Sequence, residues 1–428
     1  MLIKLHPTTP WRIGPDSGDR DRVDRIYHSD SLYSAVSSAM ARLGSLDEWL
    51  DATARVPAPP VRVGDSVNET DAPAPPVRVG DSVNAGIPAS DIDAPAPPVR
   101  VGDSVNAGIP ASDIDAPAPP VRVGDSVNAG IPFTPAVRFS SCFPFQGDVT
   151  FIVPPRSLWP PPASPKVRWR GAKFVPLSVV NELVTSRSIS EEGWTVDPAS
   201  ECLVPIAASG SGSAMGGSGP FRVSVRSSAA IDRHGSGVFP HSTACIEFAP
   251  NSGLWAFAAF ADDAAREKWS GPLKGAIRLL ADSGFGGERS RGWGRAEVSF
   301  SDDPLPFASW GSAMRCPPDD KAPLAAPLAE SAWWMLSLFH PASGDSIDWG
   351  RGSYSLTTRG GRVESPASWG DAKKPTRMIA EGSVIVAAAE PRGSASNVAP
   401  DHFPHPVYRA GFALAVPIPL GPAGRPSA

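Results

Sequence analysis

The chain has 428 residues, enough for two or three domains, with 50 prolines, 40 glycines and a net charge of −5. No apolar run approaches the ~18 residues of a membrane span, and the opening MLIKLHPTTPW has no apolar signal-peptide segment. Four cysteines (Cys142, Cys202, Cys245 and Cys316) stand far apart without a CxxC pair, which argues against a zinc site or a disulfide framework and fits a reducing cytoplasm.

The first predicted element is a short strand over residues 2–6, LIKLH, from its alternation. A helix follows over Ser29–Gly44, with a Ser or Asp cap, an apolar stripe of Leu32, Ala35/Val36, Ala39/Met40 and Leu43, and Gly44 at C′. The decapeptide PPVRVGDSVN then occurs four times, at 59–68, 75–84, 97–106 and 119–128. Each repeat carries many prolines and little to bury, so 56–135 reads as a disordered tandem-repeat insert rather than a solenoid. This insert holds ten acids and four arginines, a net −6; the total of −5 less −6 leaves +1 for the remainder. A nearly neutral chain binds a polyanion where its cations cluster, because local field governs affinity.

Val137–Phe143 and Leu254–Phe260 read as strands, and Pro272–Asp282 as a helix with Leu273, Ile277 and Leu280 on one face. Lys166–Lys173, KVRWRGAK, reads as a strand with Lys166, Arg168 and Arg170 on one face and Trp169 on the other, a backbone-tracking stripe or merely an exposed charged strand. Ala207–Pro220, AASGSGSAMGGSGP, reads as a flexible linker inside a flexible insertion spanning 185–230. Trp333–Phe339 reads as core of the C-terminal half, and His402-x-x-His405 as a poor metal pair, since Pro404 intervenes and no third ligand follows.

The densest signal is Gly284–Arg295, GFGGERSRGWGR, with five glycines and three arginines in twelve residues. A Walker loop runs strand, loop, helix and ends in GK[ST]. Here the predicted order is helix, loop, strand (296–300), so the loop sits at the negative end of a helix dipole. Phosphate binding there requires cations, supplied by Arg289, Arg291 and Arg295, with the glycines expected to let backbone N–H groups approach closely. An extended phosphate backbone suits this arrangement better than a nucleotide. The element order also matches a ferredoxin-like, RRM-type unit that lacks the aromatic RNP1 signature.

On these residues the chain resembles the RAMP superfamily of CRISPR proteins. Further segments narrow the resemblance: HSDSLYSAV (His28–Val36), RFSSCFPF (Arg138–Phe145), KFVPLSVV (Lys173–Val180), AAIDRHGSG (Ala229–Gly237), SLFHP (Ser337–Pro341), YSLTTRGGRV (Tyr354–Val363), EGSV (Glu381–Val384) and HPVYRAGFAL (His405–Leu414). Together with the glycine loop they are similar, in order, to the fourth subunit of the type III-A, Csm-type effector complex. The resemblance implies an α+β chain of two ferredoxin-like (RRM-type, RAMP) domains, 1–303 and a degenerate 304–428, interrupted by the 56–135 insert.

It implies a cytoplasmic, cofactor-free, non-catalytic role: holding the 5′ handle of the crRNA and bridging the large polymerase-like CRISPR subunit to the backbone RAMP subunits. The implied RNA contacts are Gly284, Gly286, Gly287, Arg289, Ser290, Arg291, Gly292 and Gly294 of the loop. Arg233 joins them, with His28, Ser29 and Ser141 as neighbours of the handle, and the charge spacing of Lys166–Lys173 adds Arg168, Arg170 and Lys173 as candidates. A helix-capping role for His28 and Ser29 is the plainer reading and is compatible with RNA contact. Alternatives are a RAMP endoribonuclease using a histidine base such as His28, His234 or His241, a backbone-type or type III-B subunit, and a general single-strand binder.

Overall fold

The computed structural model describes residues 1–15, 19–55, 133–161, 167–185, 187, 189, 191–206, 218–232, 234, 237–302, 331–365 and 368–419. The tandem repeats therefore lie outside the described residues, as does Ala207–Gly217 of the expected linker. Residues 1–57 and 132–428 fall in one compact unit.

The first half contains β1 (Leu2–Pro7), α1 (Ser29–Arg42), α2 (Leu46–Thr53), β2 (Val137–Phe139), β3 (Phe143–Gln146), β4 (Val149–Ile152), β5 (Val175–Pro176) and α3 (Leu177–Val184). It continues with β6 (Trp194–Asp197), β7 (Cys202–Pro205), β8 (Phe221–Ile231), β9 (Val238–Phe248), β10 (Ser252–Phe260), α4 (Asp263–Ser283) and β11 (Ala296–Ser301). The main sheet is antiparallel in the order β11-β1-β10-β3-β4-β5, with β2 also pairing β10. Its first strand is thus flanked by its last, and the connectivity through α1 and α4 is strand–helix–strand, then strand–helix–strand.

The expected strand over 137–143 is two strands, broken where Ser140 turns its hydroxyl to accept from Phe257 N–H. The 185–230 stretch, expected as a flexible insertion, instead holds the β6–β7 pair and all but one residue of β8. Trp194, Val196, Leu203 and Val204 there pack on the main core, an apolar content that overrides the polar look of the flanks.

α1 ends as its sequence predicts. Gly44 adopts φ +76°, its N–H bonds Ala41 O, and Ser45 N–H bonds Met40 O, the paired closure of a Schellman motif. Its N-cap is His28 rather than a Ser or Asp, and the His28 side chain makes no capping bond. α4 begins nine residues before the predicted start, with Asp262 accepting from Ala265 N–H as its cap. Pro272 lies inside it, so the predicted start was a proline tolerated mid-helix.

The second half contributes β12 (Ser331–Met335), β13 (Ile347–Ser353), β14 (Leu356–Arg359), β15 (Arg362–Ser365), β16 (Ser368–Ala372) and β17 (Thr376–Ile379). β18 (Val384–Ala387), β19 (Gly393–Asn397), β20 (Tyr408–Phe412) and β21 (Ala415–Ile418) complete it. Four of these form a sheet in the order β13-β18-β12-β21, and β14–β17, β15–β16 and β19–β20 are two-stranded ribbons. The principal core is shared: Trp255, Leu273 and Ile277 belong to the same buried cluster as Trp334, Phe412, Leu414 and Val416. α1 stands at the join. Tyr33 packs its ring edge-to-face on Phe412 (5.8 Å), and also meets Trp49 of α2 (5.7 Å), which in turn packs edge-to-face on Trp269 of α4 (5.3 Å).

Candidate nucleic-acid interface

The glycine loop joins α4 to β11, the helix–loop–strand order read from the sequence. It is stitched down rather than floppy. Phe285 is buried and stacks on Trp11 (5.1 Å between centroids), while its N–H bonds Gly294 O. Four of the five glycine amides have partners inside the chain: Gly284 with Leu280 O, Gly287 with Arg12 O, Gly292 with Arg289 O and Gly294 with Pro10 O.

This corrects the expectation that the glycines free amides for phosphate. Their role is steric. Gly284, Gly286, Gly292 and Gly294 hold φ between +73° and +99°, and a Cβ at Gly294 or Gly286 would run into the Phe285 or Arg12 carbonyl. The glycines thereby fold the loop so that a 3₁₀ turn, Arg289-Ser290-Arg291, projects between two left-handed residues, Glu288 and Gly292. Ser290 and Arg291 are exposed and Arg289 is half-buried.

Each arginine of the apex is met by a different element. Arg289 donates to both oxygens of Glu364 in β15, at 2.7 and 2.9 Å. Arg291 lies 3.2 Å from Glu288 and 3.3 Å from His241 Nε2 of β9. Arg226 of β8 stands over the Trp293 ring at 5.6 Å while its guanidinium binds Glu247. Arg295 serves the framework: its carbonyl accepts from Thr8 N–H and Trp11 Nε1, and its N–H donates to Thr9 Oγ1. Arg226, His241 and Glu364 carried no local motif, and only the fold brings them to the loop.

The β8–β9 hairpin runs eleven residues a side, and its outer part is exposed, with Val225 at 56%, Ile231 at 72%, Val238 at 60% and Phe239 at 65%. Its base is anchored by Arg12, whose guanidinium donates to the carbonyls of Asp19, Arg20, Arg22 and Ala244. Arg233 lies outside the described residues.

The expected strand over Lys166–Lys173 is instead a 3₁₀ turn over Val167–Gly171, so the two-residue strand spacing does not apply there. The reason is Trp169, fully buried and stacked on Trp159 at 5.5 Å, which takes the chain inward. Arg170 is exposed, Lys173 sits over the Phe174 ring at 5.8 Å, and Lys166 and the Arg168 side chain lie outside the described residues.

His28, Ser29 and Ser141 do come together, but in a buried polar network at the N-terminus of α1. Ser29 N–H donates to Ser141 Oγ (2.8 Å), and Ser29 Oγ accepts from Leu338 N–H (3.0 Å). His28 bonds Glu381 through Nδ1 (2.7 Å) and Asp24 through Nε2 (2.9 Å), and Ser141 Oγ donates to the same Glu381. One residue on, Asp30 takes Arg359 through two bonds of 3.1 Å and also Arg409. Asp24, Asp30 and Glu381 thus face His28, Arg359 and Arg409, three anions for three cations when His28 is protonated.

Burial alone would depress the His28 pKa, yet the Glu381 charge and the two carboxylate bonds push it up to about 10. Asp30 is likewise opposed by burial, but the Arg359 and Arg409 charges hold it at about 2. Tyr27 connects this network to the glycine loop, since its ring packs edge-to-face on Phe285 at 6.0 Å and its carbonyl accepts from Cys142 N–H beside Ser141. Among the described residues no group of His, Cys, Asp and Glu is arranged to hold a metal ion, and no helix is long and apolar enough to cross a membrane.

Residues 329–418 match the family model of the CRISPR Csm4 C-terminal domain. The C-terminal part of the chain thus carries a Csm4-type domain. No curated protein matches it at the level of sequence. Among solved structures, a Csm3–Csm4 subcomplex of the type III-A CRISPR-Cas interference complex contains a chain 13% identical, covering 98% of this chain and 99% of that one, with a TM-score of 0.51. A Csm1–Csm4 cassette in complex with pppApA gives 15% identity, 99% and 98% coverage and a TM-score of 0.46. Several segments that are scattered in the sequence meet in the fold: His28–Asp30, Ser141, Leu338, Arg359, Glu381 and Arg409 all belong to one buried network.

Proposed function

We propose that this chain is a Csm4-type, non-catalytic, RNA-binding CRISPR effector subunit of a type III-A complex in the cytoplasm. It holds the 5′ handle of the crRNA and bridges the polymerase-like subunit to the backbone RAMP subunits. The observation that carries this reading is the glycine loop, which commits four of its five glycine amides internally and projects Arg289-Ser290-Arg291 outward. Such an apex recognises phosphate through guanidinium groups, which suits a strand read by its backbone. The main sheet, with its last strand beside its first, is read as one ferredoxin-like unit, and the C-terminal half as a degenerate second. A binding role is favoured over a nuclease because His28 is buried with both ring nitrogens on carboxylates, and His241 faces the Arg291 guanidinium rather than an acid–base partner.

The decisive experiment is a pull-down of the tagged chain from its native host, with the bound RNA sequenced from its 5′ ends. RNAs sharing one 5′ handle ahead of varied guides, together with polymerase-like and backbone subunits, are the expected result. RNA without a common end would replace this reading with a general single-strand binder.

A further inference from the structure

The Arg289 guanidinium at the loop's apex already holds an anion. Its Nη2 contacts both carboxylate oxygens of Glu364, a residue 75 positions away in β15. The pair is open to water, with the two side chains 37% and 47% exposed. Neither member holds the loop's shape, which rests on the backbone bonds to Leu280, Arg12 and Pro10 and on the Phe285–Trp11 stack. β15 is placed independently of the pair, since Ser365 is fixed by His405 Nε2 at 2.7 Å. Arg359 and Arg409 make a contrast: their carboxylate, Asp30, is buried with them and cannot be exchanged for an outside anion.

A carboxylate and a phosphodiester each offer a guanidinium two charged oxygens, and a solvent-exposed ion pair is weak enough to be displaced. We infer that Glu364 is an intramolecular competitor for phosphate at Arg289, so that RNA engages the loop by exchange with this carboxylate. The inference rests on the RNA-binding reading of the loop. It assigns Glu364, an acid in the C-terminal half, the role of setting the affinity of a site built by the N-terminal half.

The test is fluorescence anisotropy of the full chain with a labelled single-stranded RNA of mixed sequence at fixed salt. It compares wild type, E364Q, R289A, the R289A/E364Q double variant and E297Q, which removes an exposed acid from β11 as a control for net charge. E364Q is expected to tighten binding roughly two- to fivefold, the strength of an exposed ion pair. R289A should weaken binding, E297Q should match wild type, and E364Q should add little in the R289A background. If R289A weakens binding while E364Q leaves it unchanged or weaker, the exchange is wrong and the RNA reading stands. Equal tightening by E297Q, or undiminished tightening by E364Q without Arg289, also overturns it, since the effect would then be bulk charge. If R289A binds as wild type does, the RNA reading of the loop itself falls.

Discussion

Gly294 illustrates what single residues of this chain are for. Its φ of +84° and the nearness of the Phe285 carbonyl leave no room for a side chain. Gly294→Ala combines a left-handed backbone penalty of about 1–2 kcal/mol with a steric clash. It should lower the melting temperature and abolish the apex geometry together, whereas Gly292→Ala, with open space around its Cβ, should cost only the backbone term. Equal melting temperatures for the two variants would refute the steric account.

His28 gives a pH signature. Its pKa rises from 6.5 to about 10 on folding, so its stabilisation is complete below pH 6.5 and is lost as pH climbs through about 10. Asp30 falls from 3.8 to about 2, so its stabilisation is present above pH 3.8 and lost as pH drops toward 2. Denaturant titrations should therefore show stability falling across pH ~7–10 in wild type. His28→Ala, which strands the buried Glu381 carboxylate, should cost about 3–5 kcal/mol at neutral pH and flatten that alkaline slope. An unchanged slope in the variant would assign the alkaline loss to another group.

Among elements, the β8–β9 hairpin and α1 are opposites. The hairpin's outer residues are exposed apolar side chains with no packing to lose in the isolated chain. Phe239→Ser should leave the denaturation midpoint within the ~0.5 kcal/mol typical of surface changes. A larger loss would mean the tip packs against the body. α1 is buried along Leu32, Tyr33, Val36, Ala39 and Met40 and touches both halves. Its periodicity, and the Gly44 that ends it, were plain in the sequence because local sterics set them. Its capping residue was not, because His28 is held by Glu381, 353 residues away. The Lys166–Lys173 reading failed for a similar reason: a charge pattern does not reveal that Trp169 will be drawn into the core and curl the chain around it.

At the scale of the molecule, residues 1–302 and 331–419 share a core and a buried set of charges. The N-terminal half expressed alone would expose Tyr33, on which Phe412 now packs, and other parts of the shared core. It would also leave Asp30 and His28 without Arg359, Arg409 and Glu381. Calorimetry of the full chain should give one cooperative transition, and the 1–302 fragment should fail to melt cooperatively. Two separated transitions in the full chain would establish independent domains instead. Replacing 56–135 by a short Gly–Ser linker should preserve that transition, because the flanks are already joined by the bond from Ala136 N–H to Ala52 O. Loss of soluble protein would show that the repeats are structural.

The sequence alone determined the strand–helix order, the helix–loop–strand setting of the glycines and the family likeness, since periodicity, glycine conformation and short motifs are local properties. Tertiary structure alone decided that the glycines shape the loop rather than bare its amides. It also decided that Glu364 and His241 face the loop's arginines, and that scattered motifs close into one buried ionic network. Those outcomes depend on pairings across tens to hundreds of residues, where charge and burial act through space and leave no spacing in the chain to read.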